Sequence, residues 1–262
     1  MKVELDHIID LLLEGGNTAP TAMMIDKGDF ITRVRPGWGH RKALDLSYPH
    51  EIERVRMQRA NIEKSPVFYG TMSDDNEHLE NTRFIAIAES SELLRNTKSG
   101  GEPFTCGRWR TKRPVLALSF VTENTYPAVN NSLLAALRTL YSQKANLTNE
   151  QRNIMERLNK EFTKVVKPGN EKEYLLTATL CHYLMYERTY SGLPIEAIVY
   201  PSVQTGGVAG VNIAIRPDVA DEALMLDRVL EVNLHVEGLN GHVENVRGLD
   251  AEFNEVWREG SV

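Results

Sequence analysis

The chain begins with Leu5, Ile8, Ile9, Leu12 and Leu13 at the spacing of one helical face, which predicts an amphipathic helix over residues 3–14. Gly15-Gly16-Asn17 ends it. Residues 30–35 alternate apolar and polar as a strand does and stop at Pro36-Gly37. Residues 38–49 read as loop, 50–56 as a short helix and 66–70 as a strand. A polar insert follows at 73–81, and 84–94 moves from strand-like to helical character.

The basic run Arg108-Trp109-Arg110-Thr111-Lys112-Arg113 leads into an apolar strand over 114–121. Helices dominate the middle. One is expected at 132–142; Thr148 with Gln151 forms a capping box for the next, and Ile154, Leu158, Phe162 and Val165 give its stripe. Residues 173–186 are apolar on most sides, as in a buried helix. Strands are expected at 195–202, at 211–215 and toward the end of 224–236, and residues 240–262 read as polar and partly loose. Elements of both kinds occur without regular alternation, so the pattern favours an α+β fold over a doubly wound sheet.

Composition narrows the class. With 262 residues, 42% hydrophobic and 25% charged, the chain fits a soluble globular protein of one large domain or one domain with additions. Its net charge of −6 counts against a broad nucleic-acid surface but leaves room for local basic patches. Cys106 and Cys181 are far apart and lack CxxC spacing, so neither a zinc site nor a disulfide is expected, and two lone thiols suit a reducing cytoplasm. Residues 1–14 are interrupted by acids and do not read as a signal peptide. No run approaches the roughly 20 apolar residues that cross a bilayer.

Several motifs read as structure. Gly206-Gly207-Val208-Ala209-Gly210 precedes a strand-like run, so it is a turn and not a dinucleotide fingerprint. Lys167-Pro168-Gly169-Asn170 lacks the Gly-Lys-Ser/Thr ending of a P-loop. Asp74 to His78 has metal-type side chains without EF-hand spacing and reads as a solvated loop; no metal is expected. Trp109 between two arginines reads as a packed strand edge, and His182 as a core residue.

The segment from Arg59 to Tyr69 carries more chemistry. Arg59 is a bidentate binder of phosphate or carboxylate, Asn61 both donates and accepts, and Tyr69 offers a flat ring with a polar tip. Together they form a wall for a ligand with both charge and rings. Glu89 and Ser202 follow downstream in apolar contexts.

Four segments resemble the RES-domain family, named for its Arg, Glu and Ser. They are Arg33-Val34-Arg35-Pro36; Arg59 to Tyr69 with its Asn61 and Pro66-Val67; Ala86-Ile87-Ala88-Glu89; and Ile198-Val199-Tyr200-Pro201-Ser202 with the later Asn212-Ile213. Tyr174-Leu175-Leu176-Thr177 also resembles the family's helix. The likeness runs from about residue 30 to 235. It departs at Ala60, where the family commonly has an aromatic, at Ser65 in place of a frequent Gly, and at the longer Tyr69–Glu89 interval, for which the polar insert accounts.

The resemblance implies an α+β, ADP-ribosyltransferase-like mixed sheet core with surrounding helices, and an enzyme that degrades NAD, with NAD as substrate and phosphate or water as acceptor. It divides the chain into an N-terminal helical extension (1–29), a RES-like catalytic domain (30–238) and a C-terminal tail (239–262). It assigns catalysis to Arg59, Tyr69, Glu89 and Ser202, and NAD contacts to Arg33, Asn61 and Asn212, with Arg35 an equal competitor of Arg33. Many members are toxins covered by a helix-turn-helix antitoxin, so such a partner is implied, in the cytoplasm, with no direct nucleic acid and no membrane. Self-association is left open. Two rivals stand beside this reading: a protein mono-ADP-ribosyltransferase, and a non-catalytic binding or regulatory protein on the same fold.

The chemistry agrees with the assignment. Breaking the nicotinamide–ribose bond leaves a cationic, oxocarbenium-like sugar that a carboxylate stabilises, as in glycoside hydrolysis. Fixed guanidinium groups suit the diphosphate.

Overall fold

The apolar stripe of the first residues forms helix α1 (Lys2–Leu13) in a computed structural model that describes residues 2–13, 18–72, 79–96, 98–128, 131–167, 169–203, 210–238 and 240–258. Strands β1 (Thr21–Ile25), β2 (Phe30–Pro36) and β3 (Phe68–Met72) follow, then helices α2 (Leu79–Ser90) and α3 (Glu92–Arg95). Next come β4 (Gly100–Thr111) and β5 (Val115–Ser119), then α4 (Ser132–Ser142), α5 (Asn149–Thr163) and α6 (Leu175–Glu187). The pair β6 (Thr189–Tyr190) and β7 (Leu193–Pro194) precedes β8 (Ala197–Pro201) and β9 (Val211–Ile215). Helix α7 (Pro217–Ala223), β10 (Leu224–Glu237), β11 (Asn240–Leu249) and β12 (Glu255–Arg258) complete the order.

Ten strands make one sheet in the order β1-β5-β8-β9-β3-β2-β4-β10-β11-β12. The β5–β8 pair is parallel and the others are antiparallel, so the sheet is mixed and the fold is α+β. A parallel pair needs a long crossover, and α4, α5 and α6 supply it. Strands β5, β8 and β9 are buried along their whole length, which is why they read as unbroken apolar runs. One face carries Ile31, Phe68, Val199 and Ile213 in a core with Leu134 and Leu137 of α4 and Val219 of α7. The other packs Ile198, Tyr200 and Ala214 against α1, α5 and α6. Helix α5 starts at the expected cap: Thr148 Oγ1 accepts from Gln151 N at 3.1 Å, and Gln151 Oε1 accepts from Thr148 N at 3.0 Å.

Four expectations change. The region expected to be loose after residue 240 forms β11 and β12 as far as Arg258. A register shift between Glu231 and Val232 leaves an extra residue in β11, so Val243 and Val246 stand three apart and the alternation of a strand is broken. The N-terminal segment is more than a helical extension, because β1 pairs with β5 along five residues. The run Arg108–Arg113 does not mark a strand edge: β4 lies between β2 and β10, Trp109 is buried, and Arg108 pairs with Asp227. The 84–94 segment has no strand character and belongs to α2 and α3. Most of the expected polar insert at 73–81 (73–78) and of the glycine-rich turn at 206–210 (206–209) lies outside the described residues.

Candidate active-site cleft

The sheet opens between β2 and β3. These neighbours pair only at Ile31–Met72 and Thr32–Thr71, whereas β2 pairs with β4 along its full length. Beyond Thr32 the two strands part, and the Arg33 side chain reaches across, its Nη1 donating to the Tyr69 carbonyl at 2.5 Å. Gly70 lies at the parting: a Cβ there would meet Ile31 Cγ2 at 2.3 Å, so a side chain would push the strands apart where they must still touch. Helix α2 packs over this gap on the face that carries Thr71 and Asn212. A cleft of about 760 Å³ results, within the roughly 300–1,000 Å³ usual for ligand sites. It is walled by β2, β3, α2, α3, the turn at 56–59 and the segment 166–174.

Glu89, in the last turn of α2, lines the cleft. Its Oε1 accepts from the Val203 backbone N at 2.7 Å and from Asn212 Nδ2 at 3.0 Å; Oε2 accepts no hydrogen bond among the described residues. Asn212 is itself fixed, its Oδ1 accepting from Thr71 Oγ1 at 2.9 Å. Burial pushes the Glu89 carboxyl above its usual value, although the Val203 N–H, Arg59, Asn212 and Arg95 all favour the charge. A carboxylate held by two neutral donors and made more basic by burial is suited to stabilise a cation or accept a proton.

Arg33 and Arg35 point into the cleft from β2. Arg33 is 6% exposed, its Nε has no hydrogen-bond partner among the described residues, and its guanidinium lies over the Phe68 ring at 5.1 Å. Burial first, then repulsion by Arg35, pulls its pKa well below the arginine value. An anion in the cleft would relieve both effects. Arg35 donates from Nη2 to the Ser47 carbonyl at 2.7 Å. Both candidates thus face the same space, with Arg33 the deeper.

Arg59 lines the cleft but its terminal nitrogens are engaged. Nη1 donates to the Glu161 carbonyl at 3.2 Å and Nη2 to the Lys164 carbonyl at 3.0 Å, placing a cation at the C-terminal end of α5. Its guanidinium stacks on Tyr174 at 4.9 Å. Tyr69 also lines the cleft. Its hydroxyl donates to Asn61 Oδ1 at 2.8 Å and accepts from Ala60 N at 3.0 Å, and burial raises its pKa. Asn61 is 2% exposed, and its Nδ2 donates to the Arg56 and Ile62 carbonyls at 2.9 and 2.8 Å. It therefore stands behind the wall, tying the 56–62 turn to Tyr69.

Ser202 is fully buried and is not among the described lining residues. Its Oγ accepts from Gly210 N at 2.7 Å and its own N donates to the Gly210 carbonyl at 2.9 Å. It closes the base of the β8–β9 loop, next to the Val203 N–H that holds Glu89. Ala60 is fully buried in the core and does not line the cleft.

The structure brings together Arg33, Arg35, Arg59, Tyr69, Glu89 and Asn212 around one space, with Asn61 and Ser202 behind it. Sequence reasoning missed Thr71, Tyr174 and Tyr200, and the cations Arg56, Arg95 and Lys167, as cleft residues. Thr71 carried a signal, two positions beyond Tyr69 and so on the same strand face. The others come from segments whose approach no spacing encodes. Outside the cleft, His182 Nδ1 lies 3.4 Å from Ser65 Oγ and its ring packs on Tyr186. Among the described residues no helix is long and apolar enough to cross a membrane.

No family model matches the chain, and no curated protein matches it. Among solved structures it is similar to the M. tuberculosis MbcT–MbcA toxin–antitoxin complex, with 10% identity, 93% of each chain covered and a TM-score of 0.34. A likeness of that degree carries no argument about fold or function.

Proposed function

We propose that this chain cleaves the nicotinamide–ribose bond of NAD, transferring the ribosyl carbon to phosphate or water. The observation that carries the reading is Glu89, a carboxylate clamped by Val203 N–H and Asn212, facing a cleft with six cationic side chains. In the reaction the C1–N bond breaks and its electron pair leaves with the pyridine nitrogen, giving neutral nicotinamide. An oxygen of phosphate or water forms the new bond to C1. When water attacks, its proton passes to Glu89. The negative carboxylate stabilises the cationic sugar in the transition state. Arg33 and Arg35 hold the diphosphate. Arg59 stiffens the wall that presents Tyr69, whose ring stacks on the ribose or nicotinamide. The family resemblance further implies a helix-turn-helix partner over this cleft.

Nicotinamide release from NAD by the purified protein, with and without phosphate, tests the reading. Release in either buffer is expected, and phosphate dependence identifies the acceptor. Folded protein that releases none removes it. ADP-ribose appearing on a macromolecule, without bulk loss of NAD, would favour the transferase rival.

A further inference from the structure

The cleft holds more positive charge than NAD requires. Arg33, Arg35, Arg56, Arg59, Arg95 and Lys167 line it against Glu89, Glu92 and Glu171, a formal surplus of three. NAD presents one net negative charge, because its pyridinium offsets half of the diphosphate. A phosphate monoester adds about −1.5 to −2 at neutral pH. Among the described residues none of the six cations forms an ion pair with a carboxylate. Elsewhere several arginines of this fold are tied to acids: Arg108 to Asp227, Arg113 to Glu196 and Glu222, Arg247 to Glu231. Six cations without a carboxylate partner among the described residues thus meet where a ligand enters.

They lie in two tiers. Arg33 and Arg35 form the floor, and the Nε of Arg33 has no hydrogen-bond partner among the described residues. Arg56 and Lys167 form the outer rim; both are exposed, and their side chains make no hydrogen bond among the described residues. The bonds from Arg59 to the Glu161 and Lys164 carbonyls clamp the 56–59 turn against the chain leaving α5. Arg56 and Lys167 each lie three residues from an anchor of that clamp, so they flank one rim. Glu171 is the nearest acid. Backbone N–H groups, its own and that of Gly169 at 3.0 Å from Oε1, are the main cause of its lowered pKa; Arg56 adds the least and does not pair with it. Tyr174, whose ring Arg59 covers on one side, stands beside this rim as a surface for a base.

We propose that Arg56 and Lys167 form a subsite for a phosphate monoester beside the adenine end of the ligand, so that the preferred substrate is the 2′-phosphorylated dinucleotide NADP. This rests on the dinucleotide reading of the cleft. Glu89 and the floor arginines take the reactive ribose and the diphosphate; the rim takes the added phosphate. Orthophosphate offers the same chemistry and is the competing source.

The test compares nicotinamide release from NADP, from NAD, and from NAD with orthophosphate, in the wild type and in Arg56→Ala/Lys167→Ala. Binding of 2′-phospho-ADP-ribose and of ADP-ribose to both proteins is measured by calorimetry. The expected kcat/KM ratio of NADP over NAD is about tenfold or more in the wild type and near one in the double variant. Tighter binding of 2′-phospho-ADP-ribose, lost in the variant, supports the subsite even if neither dinucleotide is cleaved, in which case the catalytic reading alone fails. Equal binding of the two ligands, or a preference for NADP that survives the double variant, overturns it. So does stimulation of NAD cleavage by orthophosphate that disappears in the variant while NADP shows no advantage.

Discussion

Two glutamates, one on the sheet and one on the helix packed over it, show what separates a structural charge from a reactive one. Glu231, on β10, is 2% exposed. Arg247 grips it with two bonds, Nε to Oε2 at 2.6 Å and Nη2 to Oε1 at 2.9 Å, and Arg41 and Gly39 N add to Oε1. Burial raises its pKa, but these partners outweigh burial and the net shift is downward. Among the described residues Glu89 meets two neutral donors and no ion-pair partner, and its net shift is upward. Burial alone does not mark a functional acid. The difference lies in whether the fold supplies the countercharge. At Glu231 it does, and the pair knits the loop after β2 to β10 and β11. At Glu89 the guanidinium groups stand across an open cleft, where a ligand comes between.

The contrast predicts opposite responses. Glu231→Ala leaves Arg247, whose side chain is only 18% exposed, with just the longer contact to Glu255 at 3.6 Å, and costs about 3 kcal/mol in denaturant unfolding. A loss below about 1 kcal/mol would end the distinction. Glu89→Gln retains an oxygen for Val203 N and Asn212 but removes the charge. It lowers kcat for nicotinamide release about 10²–10³-fold and raises the unfolding midpoint. Arg33→Met replaces a buried guanidinium, which has no carboxylate partner among the described residues and donates to the Tyr69 carbonyl, with an apolar chain of similar length. Affinity for the dinucleotide falls about 10–100-fold, read as KM or a calorimetric Kd, while stability shifts by less than about 1.5 kcal/mol.

The smallest effect is in pH. Glu89 is held above its ordinary 4.5, so its contribution to stability is full below the unfolded value and lost as pH rises through the folded one. The stability advantage of Glu89→Gln is therefore largest at neutral pH and shrinks as pH falls through the Glu89 pKa. Glu231, held below 4.5, stabilises above the unfolded value, and that stability is lost as pH falls through the folded one. Unfolding midpoints from pH 3 to 8 for wild type, Glu89→Gln and Glu231→Gln would show the two trends diverging; parallel curves would show that the two carboxylates do not differ.

Much of the fold was legible. The α1 stripe, the Thr148–Gln151 cap and the apolar runs of β5, β8 and β9 each follow from local periodicity or from burial on both faces. β11 was not, because the extra residue opposite Glu231 and Val232 breaks its alternation. Within the cleft, Arg33, Tyr69, Glu89 and Asn212 were nameable through the family resemblance of their segments, and Thr71 could have been found from the period of β3. Arg56, Arg95 and Lys167 were not nameable, since exposed cations on three separate segments look alike in a sequence. Ser202 looked like a ligand contact, whereas its hydroxyl serves the turn that aims the Val203 N–H.

By itself the sequence determined the elements, the mixed α and β order and the residue types available for chemistry, because these follow from hydrogen-bond periodicity and side-chain character along a local stretch. Only the tertiary structure decided that β2 and β3 part after two residue pairs, that Arg59 is tied to the end of α5, and that six cations meet Glu89 and two further acids around one cleft. Those outcomes depend on packing between segments far apart in the chain. No local pattern records which charge will find a partner and which will be left facing open space.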